Sequence, residues 1–372
     1  AAGSSVAMAD YAGTWQTNNV TVSPNGSEPI GGVNADVTLE TEGQAVTFVY
    51  IDATQGWVNV LDSTSNVRGA AFVVASGGDT TITCGNFKTH IFTGPGTFCV
   101  SCGGGPGSST VDYIVVAGGG AGGFDGGGGG GAGGFRLSNS VGCIPAPSTS
   151  PLANPTGLPV SVQGYPVTVG AGAACKPTTG LAASGSDSVF SCISSAGGGG
   201  GSPGGPACRP AGNGGSGAGG DRGTSSAPDA GTGNTPPTSP AQGTPGTVNG
   251  SAIGGGGGGG GAAAISDCNG NGGTGSYGAP AFFGPTAPSY GQSPAPLAPN
   301  GRYFSGGGAG GHNPSVIPGA TQTGGAGGGG GGGVSGTVNT GGGGGGGDAA
   351  GPIPQTGKGG GSGIVMIRYK FQ

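Results

Sequence analysis

A glycine-rich loop directly after an apolar segment is the first place in this sequence where chemistry could occur. Gly118, Gly120 and Gly123 fit the spacing G-x-G-x-x-G and follow the strand-like segment 111–116 (VDYIVV). In a dinucleotide-binding fold such a loop opens a helix whose N-terminus holds the pyrophosphate. Here the letters FDGGGGGG follow instead, and no acidic residue stands about twenty positions on, where the ribose contact requires one. The spacing therefore predicts neither a nucleotide site nor a bound cofactor.

The cysteines raise a second possibility, because Cys99 and Cys102 form a C-x-x-C pair and lie near Cys84 and His90 in the sequence. These residue types bind zinc, but the second C-x-x-C pair of a typical zinc site is missing. A redox-active pair would need a βαβ context, and no helical pattern is visible. An even number of cysteines in a chain rich in glycine and proline predicts disulfides and an oxidising final location instead. The candidates, with no pairing assigned, are Cys84, Cys99, Cys102, Cys143, Cys175, Cys192, Cys208 and Cys268.

Groups for acid–base or nucleophilic catalysis are sparse. The chain has two histidines, His90 and His312, and no G-x-S-x-G nucleophile elbow. Its aspartates are scattered at positions typical of turns. We therefore predict that the protein is not an enzyme and holds no metal.

Binding chemistry is concentrated in one proline-rich insertion, residues 276–304 (SYGAPAFFGPTAPSYGQSPAPLAPNGRYF). Aromatic residues and arginine dominate binding hot spots, and proline reduces the entropy that a loop loses on binding. A second interpretation is that the aromatic rings cap glycine helices or cover a sheet. The candidate receptor-binding residues are Tyr277, Phe282, Phe283, Tyr290, Arg302 and Tyr303.

The element that would position this insertion is a set of eight glycine tracts. Glycine accounts for 101 of the 372 residues, a composition that elsewhere indicates flexible linkers or disorder. Collagen is excluded, because its repeat needs two filled positions after each glycine. The low charge, 7% of residues, favours order instead. Extended threefold helices of the polyproline II type make no internal hydrogen bonds, so neighbouring glycine tracts could bond to one another. The tracts are 117–135, 197–201, 212–220, 254–261, 306–311, 324–333, 341–347 and 359–363.

Composition and charge exclude several partners. The formal net charge is −5 and there is no basic patch, which argues against nucleic acid. No apolar run reaches the length of a transmembrane helix, so no membrane insertion is expected. The first residues lack the features of a secretory signal, and the absence of an initiator Met indicates truncation or processing.

Residues 1–62 are predicted to form a small β module. The segment NNVTVSPNGSEPIGGVNADVTLETEGQAVTFVYIDATQGWVNV resembles a β module of bacteriophage tail-fibre and appendage proteins, in which three chains wind into a prism. The resemblance implies a homotrimer and attachment to other virion proteins. A module with so few large apolar residues also favours oligomerisation on physical grounds.

The rest of the chain carries a second resemblance. The ordered motifs GTFCVSC, VDYIVVAGGGAGG, GGAGGFR, YPVTVGAGA, GSDSVFSCISSAGGGGG and GGGSGIVMIRY resemble the glycine-rich domain of phage tail-fibre tip adhesins. In that family packed polyglycine II helices hold loops that contact a host receptor. The cysteines and the long proline-rich insertions depart from the family pattern.

The sequence thus predicts an all-β protein with essentially no α-helix. A prism-like module (1–62) is followed by a connecting β region (63–110) and a glycine-rich sandwich domain (111–372) with a polyglycine II bundle closed by a C-terminal strand. The expected function is non-catalytic binding of a host outer-membrane protein or glycan by a virion appendage. That appendage is expected to assemble in the host cytoplasm and to form part of the extracellular virion. The alternative is a purely structural virion component, such as a capsid fibre or decoration protein.

Overall fold

The structure is a computed structural model of the chain, and its described residues fall into two compact units. Ala1–Ala71 forms the N-terminal unit and Phe72–Gln372 the C-terminal unit. The described residues are 2–63, 72–105, 108–141, 150–175, 180–204, 209–221, 230–249, 253–260, 269–278, 282, 290–293, 302–316, 318–319, 321–349 and 355–371.

The described part of the chain contains strands and no α-helix, which confirms the predicted all-β class. Across these residues no helix exists that could span a bilayer. The strands are β1 (Ser5–Ala9), β2 (Val20–Val22), β3 (Val37–Leu39), β4 (Ala45–Asp52), β5 (Gly56–Ser63), β6 (Val73–Ser76), β7 (Thr80–Cys84), β8 (Phe87–Phe92), β9 (Gly96–Gly103), β10 (Thr110–Val116), β11 (Phe135–Ser138), β12 (Ala153–Asn154), β13 (Leu158–Pro159), β14 (Gly164–Thr168), β15 (Ser188–Phe190), β16 (Ile193–Ser195), β17 (Ser276–Gly278), β18 (Arg302–Phe304) and β19 (Ile364–Lys370).

The N-terminal unit consists of an antiparallel sheet in the order β1-β4-β5 and a two-stranded β2–β3 ribbon. Strand β4 alternates between the two faces of the sheet, so Val46 and Phe48 point towards the ribbon, where Leu39 joins them. These three are the buried apolar residues of its hydrophobic cluster, and larger side chains such as Trp57 are only partly covered. The core of this unit is therefore small.

The C-terminal unit packs two sheets against each other. One sheet has the order β12-β11-β10-β19-β8-β7 with β13 beside β10, and the other has the order β16-β15-β14-β9-β6. A cluster of buried side chains from both sheets, including Phe98, Tyr113 and Ile367, fills the space between them. The other face of the first sheet is also buried, under a second cluster that includes Phe282 and Phe304.

Strand β19 lies at the centre of the first sheet, although it is the last strand of the chain. It pairs antiparallel with β10 on one side and with β8 on the other. Every residue from Ile364 to Tyr369 is buried. Strands covered on both faces have nearly continuous apolar sequences, which explains the segments VDYIVV and IVMIRY.

The strands of the region 63–110 belong to the same sheets as the glycine-rich domain. Strand β8 pairs with β19, and β9 pairs with β14. The C-terminal unit accordingly begins at Phe72, and β6 to β9 form part of its sandwich.

The glycine tracts lie outside the strands and are hydrogen-bonded backbone to backbone. Six consecutive amides of residues 118–123 donate in rotation to three neighbouring segments, one of them a later part of the same tract, so every third amide meets the same neighbour. Each bond runs from an amide to a carbonyl oxygen over 2.8–3.0 Å. Gly118 and Ala121 donate to Ser186 and Ala183, Gly119 and Gly122 donate to Gly361 and Lys358, and Gly120 and Gly123 donate to Gly131 and Gly128. We call the glycine tracts and the segments bonded to them the glycine lattice.

Carbonyl groups of residues 118–123 accept hydrogen bonds from three further segments. Gly118 and Ala121 accept from the amides of Gly198 and Gly201, and residues 120 and 123 accept from residues 344 and 347. Gly119 accepts from Ala173. Residues 118–123 thus have six bonded neighbours, and all six amides and five of the six carbonyls have backbone partners. The only side chain in this segment, the methyl group of Ala121, packs against Ala173 and Ala182.

The predicted disulfides are wrong for the cysteines that the structure describes. Cys84, Cys99, Cys102, Cys175 and Cys192 are free thiols. Cys99 and Cys102 lie three residues apart on β9, which separates their Cα atoms by ~10 Å along an extended strand. A disulfide needs them within about 7 Å. The other candidates, Cys143, Cys208 and Cys268, lie outside the described residues.

His90 is a buried part of the sandwich core, and both of its ring nitrogens have hydrogen-bond partners. Its Nδ1 lies 2.6 Å from the carbonyl oxygen of Gly77, which can only accept, so Nδ1 carries the proton. Nε2 then accepts from the hydroxyl of Tyr369 at 3.0 Å. Burial is the main cause that lowers the pKa of His90, and Lys88 adds to it.

This environment predicts that the protein loses stability on mild acidification. Because the pKa of His90 is lower in the folded chain than in the unfolded chain, the unfolded chain takes up the proton first as the pH falls. The contribution of His90 to stability is therefore complete above its ordinary pKa of about 6.5 and decreases as the pH falls below that value. Denaturant unfolding between about pH 8 and pH 5 should show this decrease, which His90→Asn should reduce. An unchanged decrease in His90→Asn would contradict the assignment.

Candidate functional site

The proline-rich insertion starts and ends in a short two-stranded ladder. Strands β17 and β18 pair antiparallel, with Ser276 opposite Phe304 and Gly278 opposite Arg302. The middle pair places Tyr277 opposite Tyr303, and their rings are 5.3 Å apart between centroids at an angle of 45°. Tyr303 is buried and Tyr277 is half-buried. Burial, together with the neighbouring Tyr277, raises the pKa of Tyr303.

Gln292 attaches the insertion to the glycine lattice. Its backbone exchanges two hydrogen bonds with Tyr303, at 2.9 and 3.0 Å. Its side-chain Oε1 accepts from the amides of Gly327 at 2.7 Å and Gly328 at 2.9 Å. Both glycines have positive φ, 108° and 90°, a conformation that L side chains rarely adopt. One glutamine thus joins the ladder to a turn of the lattice.

Phe282 anchors the middle of the insertion on the sheet below. Its ring centroid lies 5.5 Å from Cζ of Arg368, and the ring centroid of Phe87 lies 3.8 Å from the same atom. Arg368 also donates from Nη1 to the carbonyl of Val141 at 2.7 Å. Cation–π contacts of this kind strengthen when water is excluded.

The charge of Arg368 is balanced by Asp112, whose carboxylate is fully buried. The Nη1 to Oδ2 distance is 4.0 Å. Asp112 accepts hydrogen bonds at 2.7–2.9 Å from the hydroxyl of Ser138, the amide and hydroxyl of Ser140 and the amide of Val141. A buried carboxylate with this many donors is satisfied, so we assign the pair to structure rather than to catalysis.

The structure divides the six predicted binding residues into three groups. Phe282 and Tyr303 are 0% and 3% exposed, so in this conformation they offer no surface to a ligand. Tyr277, Tyr290 and Arg302 are half-buried and retain accessible surface. Phe283 lies outside the described residues. Phe282 instead covers one face of the first sheet, as in the second of the two interpretations that the sequence allowed.

The partly exposed residues are held by polar contacts. The hydroxyl of Tyr290 lies 3.4 Å from Oγ1 of Thr80, and Nη1 of Arg302 donates to the hydroxyl of Ser293. Gln292, Ser293 and Thr80 were not predicted as site residues, and no sequence pattern distinguishes them. Arg368 and Asp112 did carry a signal, because each is a charged residue inside an otherwise apolar strand.

A histidine–aspartate pair occurs elsewhere on the lattice. Nδ1 of His312 lies 2.8 Å from Oδ1 of Asp348, which also accepts from the backbone amide of His312 at 3.1 Å. The pair joins the ends of two tracts, 306–311 and 341–347. Over the described residues no group of three or more His, Cys, Asp or Glu side chains is placed to hold a metal ion.

Comparison with known proteins gives one match. Residues 92–370, about three quarters of the chain, match a family model described as a glycine-rich domain. No curated protein matches the chain. The matched region covers the lattice and both ends of the insertion.

Proposed function

The chain belongs to the glycine-rich domain family, and we propose that it is a virion appendage protein, a bacteriophage tail fibre or fibre tip, that binds a host-surface receptor without catalysis. The observation that carries the proposal is the attachment of the aromatic insertion to a rigid backbone lattice. Rigid scaffolds commonly present binding residues on loops. The resemblances of both parts of the sequence to phage appendage proteins point to the same role.

We further propose that the lattice tracts are polyglycine II helices. Support comes from the rotation of hydrogen bonds among three neighbours, with a period of three residues. That is the period of the polyproline II conformation, which has three residues per turn and no internal hydrogen bonds. A sheet would direct successive peptide groups to only two neighbours.

Within this proposal the lattice cannot itself discriminate between receptors. Its peptide groups are engaged with one another, and glycine has no side chain. The insertion combines aromatic rings, an arginine and proline. Of its aromatic and arginine side chains that the structure describes, Tyr277, Tyr290 and Arg302 keep accessible surface, so we take these three as the proposed contact residues.

Replacing these three residues together by Ala is expected to weaken attachment. Loss of one hot-spot side chain commonly costs ~2 kcal/mol, or roughly 30-fold in affinity. Attachment would be measured with labelled protein on a panel of bacterial strains and on a glycan array. A matched control replaces Val316, Val334 and Val338 by Ala, since these are 61%, 56% and 67% exposed and belong to the same unit.

The result also separates receptor binding from the purely structural alternative. Specific attachment that the insertion variant loses and the control retains supports the proposal. If neither variant changes attachment and both remain folded by circular dichroism, the contact surface is elsewhere. If the wild-type protein attaches to none of the strains or glycans, the structural virion component becomes the better description.

We propose that the N-terminal unit assembles as a homotrimer. Cross-strand pairs Val49–Val58 and Thr47–Leu61 place apolar residues on the face of the sheet opposite to its core. Leu61 is 61% exposed and Ile51 is 44% exposed. A unit with a small core gains stability when a second copy covers such a face.

Light scattering of the full chain is expected to give the mass of three chains. A lysine in this face would have to be buried without a partner, so Leu61→Lys is expected to shift the protein towards monomers. Val33→Lys is the control, because Val33 is 60% exposed but lies outside the three-stranded sheet. A monomeric wild type would contradict the trimer.

A further inference from the structure

The opposite face of the N-terminal unit contains an apolar groove. It lies where the β1-β4-β5 sheet meets the β2–β3 ribbon, and its volume is about 210 Å³. Val6, at its mouth, is 45% exposed. The residues that line the groove are Val6, Met8, Val22, Ser23, Asn25, Ile30, Phe48 and Trp57.

The size and lining of the groove suit one large apolar side chain. An apolar protein cavity of ~150 Å³ can hold a molecule the size of benzene. Apart from Ser23 and Asn25, the lining is aliphatic or aromatic. The groove therefore favours a leucine, methionine or phenylalanine side chain over a polar one.

The charged residues of the N-terminal unit are mostly acidic. Residues 1–71 contain seven aspartates and glutamates and one basic residue, Arg68, which lies outside the described residues. Glu28 lies directly at the groove, because its Oε2 accepts from Nε1 of Trp57 at 3.3 Å. Asp36 is exposed and adjoins Val37, the strand partner of Val22. An apolar pocket with an acidic surround selects a partner that carries cations beside its apolar residue.

We propose that this groove docks an extended basic segment of another protein, with one large apolar side chain in the groove and lysine or arginine residues beside it. A second copy of this chain is a poorer occupant, because it would bring seven further carboxylates towards this surface. The proposal concerns the N-terminal unit alone and does not depend on receptor binding by the C-terminal unit.

The test uses the full ¹⁵N-labelled chain and three capped pentapeptides, followed through the indole N–H signal of Trp57. The first peptide has one leucine between two pairs of lysines, the second replaces the lysines by glutamates, and the third replaces the leucine by glycine. We expect saturable shifts of the Trp57 signal with the first peptide. The other two should bind at least about tenfold more weakly, a difference of ~1.4 kcal/mol. Added salt should weaken binding of the first peptide.

Matched variants test whether the lysine peptide binds in the groove. Val6→Arg places a cation at the mouth of the groove and should abolish the shift, whereas Val33→Arg adds the same charge at an exposed position outside the lining and should retain it. Glu28→Gln keeps an acceptor for Trp57 and should weaken binding and its salt dependence. The proposal is overturned by equal binding of the lysine and glutamate peptides, by undiminished binding in Val6→Arg, or by no shift at millimolar peptide. If the Trp57 signal shifted with protein concentration and not with added peptide, a second copy of the chain would occupy the groove, and this result would also overturn the proposal.

Discussion

Gly257→Val is expected to destabilise the C-terminal unit by about 3 kcal/mol or more, because the lattice has no space for a side chain. An added Cβ at this position would lie 2.1 Å from the carbonyl oxygen of Gly130 and 2.6 Å from its carbon. The obstruction is backbone, which cannot rotate away as a flexible side chain would. The amide of Gly257 also donates to Gly308, and its carbonyl accepts from Gly273, each at 2.9 Å. A shift of the tract would therefore break bonds to several neighbours at once.

The matched control is Gly94→Val, since a Cβ at Gly94 would meet no atom within 4 Å. Thermal or denaturant unfolding of both variants, compared with the wild type, checks the prediction. A flexible linker would tolerate either substitution. Equal stability of Gly257→Val and the wild type would therefore refute both the packed lattice and the proposed polyglycine II helices.

The strands of the sandwich could be predicted because side chains specify them. Segments 111–116 and 364–371 have nearly continuous apolar sequences, and they are found as β10 (Thr110–Val116) and β19 (Ile364–Lys370), paired with each other. The all-β class follows from the same patterns. Which tract lies beside which could not be predicted, because a glycine run carries no side-chain pattern that distinguishes one neighbour from another. Strands and insertions that flank the tracts must determine their register.

The candidate site was predicted only in part, for a related reason. The composition of residues 276–304 identified the aromatic insertion, but it could not separate accessible rings from anchoring rings. Phe282 is buried because it covers Arg368, and that contact joins residues far apart in the sequence. Burial of an arginine in the middle of β19 depends on Asp112 on the neighbouring strand. Such pairings become visible only when the order of strands in the sheet is known.

The C-terminal strand is the second place where a single change should have a large effect. Strand β19 provides five residues that pair with β10 and six that pair with β8. Without it, both strands would lose their hydrogen-bonding partner in the middle of a buried sheet, and unpaired buried peptide groups are costly. Deletion of residues 364–372 is therefore expected to prevent the sandwich from folding, even though the glycine tracts and the insertion remain in the chain.

A pair of point variants separates the loss of this strand from a general effect of charge near the C-terminus. Ile367 is 0% exposed and pairs with Tyr113 and His90, so Ile367→Asp buries a carboxylate without a partner and should cost about 4 kcal/mol or more. Lys370 is exposed on the same strand, and its ammonium lies 5.1 Å from the ring of Phe72. Lys370→Asp should lose that contact alone, at a cost of about 1 kcal/mol. Denaturant unfolding measures both free energies. Similar stabilities for the two variants would mean that the C-terminal strand is not in the centre of the sheet, and the topology of the sandwich would have to be revised.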